Sequence, residues 1–151
     1  MNAIGLIGLA LLILLLLPVV IAAWEGYGVP DMLYLVIASG GIIFAGVTRG
    51  WAGALQAGLV GLGCLIVVAA AITAIRLRWQ VRLLVGGHIK LLGAGATWLG
   101  VAGSIGMIAI SLTLLAGGAV FLRIRKNTNI RPEFIPIAAA SILLVQIGYI
   151  F

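Results

Sequence analysis

Long apolar stretches constrain this chain more than any other feature. The first of them, residues 4–23, has no charged residue, and of all 151 residues 64% are hydrophobic and only 8% are charged. A soluble domain carries about 25% charged residues, so this chain could not cover itself with a hydrated surface. Apolar stretches of about 20 residues are what a helix needs to cross a bilayer. The sequence therefore predicts an all-α, polytopic membrane protein with a single domain over residues 1–151.

Polar interruptions divide the chain into about six transmembrane helices. We expect helices over roughly residues 3–23, 32–47, 51–75 and 134–151, with a tight turn at residues 48–50. The apolar stretch at 83–122 is too long for one span, because 40 helical residues extend about 60 Å, twice the hydrocarbon core. Its middle is rich in glycine, so two helices with a bend near residues 100–106 are expected there. The first helix has no preceding Lys or Arg and is longer than a signal-peptide core, which predicts a retained span.

The positive charges predict how the helices are oriented. Eight of the nine Lys and Arg residues lie in or beside the connections at 76–90 and 123–131, and Arg49 alone lies on the other side. Basic connections stay in the cytoplasm, so these two share the cytoplasmic face and both chain termini lie outside. The same topology places Glu25, Asp31, His88 and Lys90 at the cytoplasmic face.

The net charge of +6 does not predict a nucleic-acid partner, because membrane topology accounts for the positions of the basic residues. The lipid bilayer is the partner that the composition requires. Cys64 is the single cysteine, and His88 is the single histidine, which is a poor set of zinc ligands. We expect no metal and no cofactor. Oligomers remain open, because glycine-rich membrane helices can pack against one another or against copies.

His88 and Lys90 interrupt an apolar stretch, just after Gly86 and Gly87. Two interpretations are open. The helix could begin only after Lys90, which would leave both side chains in water. Alternatively, both could lie inside the helix, where ionisable groups near membrane depth are costly and default to a functional role.

The stretch from Gly86 to Gly100 resembles the second signature of type IV prepilin peptidases. These are integral-membrane aspartic proteases that cut leader peptides from prepilins at the cytoplasmic face. The family pattern reads Gly-x-Gly-Asp-hydrophobic-Lys-Leu-Leu, followed by Trp-Leu-Gly. The residues that match it are Lys90, Leu91, Leu92, Trp98, Leu99 and Gly100. The first signature ends in a Pro-Asn or Pro-Asp pair, which Pro30 and Asp31 resemble.

The resemblance implies the short form of the family, without the methyltransferase domain, in the bacterial inner membrane. It also implies that both catalytic aspartates are replaced, because their positions fall on Ala23 and His88. Val85 stands where the family pattern has its first glycine. An aspartic protease needs two carboxyl groups that share a proton, and neither Ala23 nor an imidazole supplies one.

Three functions are open, the third of which takes the resemblance as coincidental. The first is a catalytically degenerate homologue, linked to a prepilin-like substrate or to pilus or secretion-system assembly. In it, His88 and Glu25 would mark the former catalytic site, and Lys90, Asp31 and Gly87 would contribute to binding. The second is an active peptidase with a rearranged acid/base pair of Glu25 with His88 or Asp31. The third is a small membrane channel or transporter, for which the sequence offers almost no polar residue at the bilayer centre.

Overall fold

The computed structural model describes residues 3–26, 28–79, 86–124 and 134–150, and within these ranges the chain forms four α-helices and no strand. The helices are α1 (Ala3–Trp24), α2 (Asp31–Trp79), α3 (Gly86–Ile124) and α4 (Phe134–Ile150). Three stretches are long and apolar enough to cross a membrane, namely Ala3–Trp24, Asp31–Ala74 and Gly86–Gly117. A fourth apolar helix, Phe134–Tyr149, is shorter. The apolar helices indicate a membrane protein, as the composition predicts.

Helices α2 and α3 are each broken at one glycine. Gly50 has φ 73° and ψ −171°, and Gly100 has φ 68° and ψ −174°. We refer to the two halves of α2 as α2a (residues 31–49) and α2b (residues 51–79), and to those of α3 as α3a (residues 86–99) and α3b (residues 101–124). Such backbone angles are accessible almost only to glycine.

Contacts across each break show that the chain reverses there. A Cβ placed on Gly46 would lie 3.3 Å from the Cβ of Ala54, and one placed on Gly58 would lie 3.8 Å from Ile42. In the same way, a Cβ on Gly95 would lie 3.2 Å from the sulfur of Met107. A straight helix would hold residues 95 and 107 about 18 Å apart. Each of α2 and α3 is therefore an antiparallel helical hairpin.

The two breaks share a local design. Each begins a Gly-x-Ala-Gly sequence, at residues 50–53 and at residues 100–103. The second glycine of each sequence packs on the residue before the break. A Cβ on Gly53 would lie 2.5 Å from the Cβ of Arg49, and one on Gly103 would lie 2.7 Å from the Cβ of Leu99. One glycine supplies the left-handed backbone and the other supplies the room for the reversal.

The predicted turn at 48–50 and the predicted bend near residue 100 are confirmed in position. The helix ends differ from prediction, because α2 continues through residues 76–79 and α3 through residues 123–124, where a basic connection was expected. Positive side chains are favoured at the C-terminal end of a helix, where the helix dipole is negative, so a basic stretch is compatible with a helix end.

The first half of α3 lies at the centre of the bundle. Its residues 91–97 are all buried, on every side of the helix. Gly61 and Gly93 let α2b approach it closely, since a Cβ on Gly61 would lie 3.2 Å from the Gly93 carbonyl oxygen. On the side of α2a, the Trp98 indole N–H donates to the Ile37 carbonyl at 2.9 Å, and its ring stacks on Phe44. Helix α4 closes the other side through Ile142 against Gly95.

The outer surface of the bundle suits an apolar medium. Large exposed hydrophobic side chains occur on α1, α2, α3 and α4. The hydroxyls of Ser39, Thr48, Thr73 and Thr113 are exposed, and each donates to a backbone carbonyl three or four residues earlier in its own helix. A hydroxyl facing lipid must be satisfied within the protein. These exposed hydroxyls therefore need no water.

The glycines at the two breaks lead to a stability prediction. No atom lies within 4 Å of a Cβ placed on Gly50 or Gly100, so alanine there meets no steric clash. Because the backbone angles alone resist it, Gly50→Ala and Gly100→Ala should each destabilise the fold by about 1–3 kcal/mol. Gly63→Ala is the matched control, since its Cβ also meets open space but its helical backbone favours alanine. Unfolding in mixed micelles measures all three. Equal stability of the Gly50→Ala and Gly63→Ala variants would contradict the assignment.

Candidate functional site

The first turns of three helices meet at one end of the bundle. Asp31 begins α2, and its carboxylate lies 2.7 Å from the Lys90 ammonium in the second turn of α3. A Cβ placed on Gly87 would lie 2.9 Å from the Tyr34 hydroxyl. Phe134 begins α4, and its ring centroid lies 4.7 Å from that of His88. We call this group the α2–α3–α4 junction; it comprises Asp31, Tyr34, Gly87, His88, Lys90 and Phe134.

The ion pair at the junction joins two segments that are 59 residues apart in the sequence. Both partners are exposed, Lys90 at 44% and Asp31 at 72% of the side-chain surface. Asp31 is well placed at the N-terminus of α2, where the helix dipole favours an acid. Lys90 is near the N-terminus of α3, where the dipole disfavours a cation. Asp31 therefore compensates an otherwise unfavourable position of Lys90.

His88 lies inside α3, which begins at Gly86. The interpretation in which the helix begins only after Lys90 is therefore wrong. The imidazole is partly buried and packs against the buried ring of Phe134 at an interplanar angle of 36°. Because α4 covers it, His88 is not a fully hydrated surface residue.

Glu25 and Ala23 lie at the end of α1. Glu25 is exposed, and its backbone N–H donates to the Ile21 carbonyl, while Gly26 turns the chain with φ 74°. Within the described residues, the carboxylate that contacts the matching segment of α3 is that of Asp31. The pairing of Glu25 with His88 stays a prediction. The described residues contain no group of three or more His, Cys, Asp or Glu side chains that could hold a metal ion.

Sequence reasoning missed two members of the junction, Tyr34 and Phe134. Tyr34 follows Asp31 by three residues, a spacing that places both on the same side of a helix. That spacing could have identified it. Phe134 is the first residue of α4, and only the packing of α4 against α3 brings it to His88.

Four buried hydroxyl groups are hydrogen-bonded within the bundle. Ser111 and Ser141 share a hydrogen bond of 2.6 Å between α3 and α4, and the Ser141 hydroxyl also donates to the Ala138 carbonyl. Thr97 and Ser104 each donate to a carbonyl of their own helix. These hydroxyls contribute to helix packing. A transport path would instead require polar groups open to a passing solute.

Comparisons of the sequence with protein-family models and with curated proteins, and of the fold with solved structures, found no match. Function is therefore inferred from the residues of the junction and their contacts.

The exposure of the ion pair leads to a second prediction. Exposed ion pairs contribute about 0–1 kcal/mol, so Asp31→Asn and Lys90→Gln should each change the free energy of unfolding by no more than about 1 kcal/mol. The double variant gives the coupling energy between the two side chains. A coupling of several kcal/mol would show instead that the pair holds the helices together.

Proposed function

We propose that this chain is a catalytically degenerate relative of the type IV prepilin peptidases, which binds a prepilin-like segment or a pilus assembly component without cleaving it. The ion pair between Asp31 and Lys90 carries the proposal. It joins the residue that ends the first partial signature to the lysine of the second. Two segments that resemble one family at separate places in the sequence are thus in contact at one end of the bundle.

We propose a six-span topology to accompany this relationship. The reversals at Gly50 and Gly100 divide the four helices into six segments, which supports six crossings. The junction then lies at the face where α1, α2b and α3b end and where α2a, α3a and α4 begin. The basic residues near positions 76–90 and 123–131 favour the cytoplasmic side of the inner membrane for that face.

Labelling of introduced cysteines tests the topology. In a Cys64→Ser background, a membrane-impermeant maleimide added to intact cells should label Trp51→Cys. It should label Gly28→Cys only after the membrane is permeabilised. Trp51 and Gly28 are both exposed, so both positions are accessible to the reagent. Labelling of both positions, or of neither, before permeabilisation would contradict six crossings in the proposed orientation.

The substitutions support loss of the peptidase chemistry. Two carboxyl groups that share one proton let one act as base on water and the other as acid. Ala23 has no titratable group, and the His88 imidazole packs on an apolar ring. Asp31 keeps a carboxylate at the junction, but Lys90 neutralises it.

Restoration of the two carboxylates tests whether the site geometry remains. Co-expressed with the prepilin encoded nearest to this gene, the natural chain should leave the leader in place. The Ala23→Asp/His88→Asp double variant should yield detectable mature pilin, seen as a shift in mass. Ala23→Asn/His88→Asn is the matched control, because it has the same shape but cannot exchange protons, and it should leave the prepilin intact.

Two results would overturn the proposal. Leader removal by the natural chain that is lost in His88→Ala or in Glu25→Ala would show that it is an active peptidase with a rearranged acid/base pair. Failure of the natural chain to co-purify with the prepilin or with any pilus assembly component would remove the proposed binding role.

A further inference from the structure

Gln56 is a polar side chain on the outer surface of α2b. It is exposed, and it lies about 9 Å along the helix from the reversal at Gly50, within the apolar stretch Asp31–Ala74. Its side-chain amide makes no hydrogen bond to any of the described residues. An amide that faces lipid without a partner is costly, because no water is present there to replace one. A single copy of the chain therefore leaves this amide unsatisfied.

Gln56 differs in this respect from the exposed hydroxyls on the same outer surface. Those of Ser39, Thr48, Thr73 and Thr113 each donate to a carbonyl of their own helix, so they need nothing beyond it. A glutamine side chain is longer, and its amide both donates and accepts. In membranes such side chains form hydrogen bonds from one helix to another. Gln56 is therefore suited to contact a helix outside the bundle.

The residues above and below Gln56 form a continuous face of α2b that the described part of the chain leaves uncovered. They alternate at spacings of four and three residues, which places them along one side of the helix. Gly63 lies in the middle of this face, and a Cβ placed on it would meet no atom within 4 Å. A glycine inside a helix costs stability relative to alanine, yet no contact within one copy requires its small size. We call this surface the Gln56 face; it comprises Ala52, Gln56, Leu59, Gly63, Ile66 and Ala70.

A second copy of this chain complements the Gln56 face. Copies in one membrane share one orientation, so a two-fold axis along the membrane normal places Gln56 of each copy at the same depth as its equivalent. Each side-chain amide has an oxygen that accepts and an NH₂ group that donates, so the two amides satisfy each other. An apolar helix on the same face would leave the amide without a partner. The polar complementarity of the face thus favours self-association.

We propose that two copies of the chain dimerise through their Gln56 faces, with α2b of one copy parallel to α2b of the other. The two Gln56 amides donate to each other's oxygens, and Gly63 lets the helices approach closely. The average spacing of 3.5 residues favours a left-handed crossing. The interface uses no residue of the α2–α3–α4 junction, so it does not depend on the relationship to prepilin peptidases.

Disulfide cross-linking of the full chain in membranes tests the arrangement. In a Cys64→Ser background, Ile66→Cys should form a species of twice the chain mass on oxidation with copper phenanthroline. Leu14→Cys is the matched control, because Leu14 on α1 is exposed to a similar degree, 68% against 63% for Ile66, but lies outside the Gln56 face. It should remain a monomer. A cross-linked species of any other mass would show that a different protein covers the face.

Energy transfer between copies labelled at the N-terminus, measured in liposomes over a range of protein-to-lipid ratios, tests the role of the amide. Gln56→Leu should raise the dissociation constant of the dimer about tenfold, because it removes the hydrogen bonds between the two copies. Gln56→Asn keeps an amide and should retain most of the affinity. Unfolding in mixed micelles should be unchanged in Gln56→Leu, since the amide bonds to no described residue of its own copy. This control separates loss of the dimer from loss of the fold.

The proposal is overturned if Ile66→Cys forms no cross-linked dimer, or if Leu14→Cys cross-links equally well. It is also overturned if Gln56→Leu dimerises as strongly as the natural chain, which would show that lipid headgroups or water at the membrane surface satisfy the amide. An equal loss of affinity in Gln56→Asn and Gln56→Leu would likewise exclude the paired amides.

Discussion

The close approach of α2b and α3a at Gly61 and Gly93 is the contact on which the rest of the bundle depends. In a bilayer, apolar side chains gain little by leaving lipid for other apolar side chains, so helices associate through close packing and hydrogen bonds. A Cβ on either glycine would lie within 3.4 Å of the other's carbonyl oxygen. A side chain on either glycine would force the two backbones apart by a few tenths of an ångström. Residues 91–97 can therefore be buried on all sides.

Packing at the centre also fixes the α2–α3–α4 junction. Trp98 ties the far end of α3a to α2a through the Ile37 carbonyl, and Tyr34 meets α3a again at Gly87. These two contacts lie at opposite ends of α3a. Since α3a cannot tilt or slide on α2a without breaking one of them, the positions of His88 and Lys90 relative to Asp31 follow from the packing. The weak ion pair is therefore a consequence of this placement and not its cause.

Sequence reasoning predicted the parts of the fold that depend on local signals. Gly50 is the last residue of the tight turn predicted at 48–50, and Gly100 lies in a stretch too long for one span, so both reversals could be located. The predicted helix ends at residues 75 and 122 were wrong, because the helices continue beyond them. The basic stretch after each was interpreted as a connection, although positive side chains are also favoured at the negative C-terminal end of a helix. The sequence also identified Asp31 and Lys90 as candidate binding residues. Their direct contact depends on tertiary packing, as does that of His88 with Phe134.

Under the proposed relationship to prepilin peptidases, the replacements at positions 23 and 88 change the electrostatics of the junction as well as its chemistry. An acid at position 88 would lie in the first turn of α3, where it would offset the positive helix end. His88 supplies no negative charge, and its ring instead gains the apolar contact with Phe134. The positive end of α3 and Lys90 are then opposed by Asp31 alone among the junction residues. Under that proposed relationship, the replacement at position 88 removes a catalytic carboxyl group and also leaves the first turn of α3 without an acidic side chain.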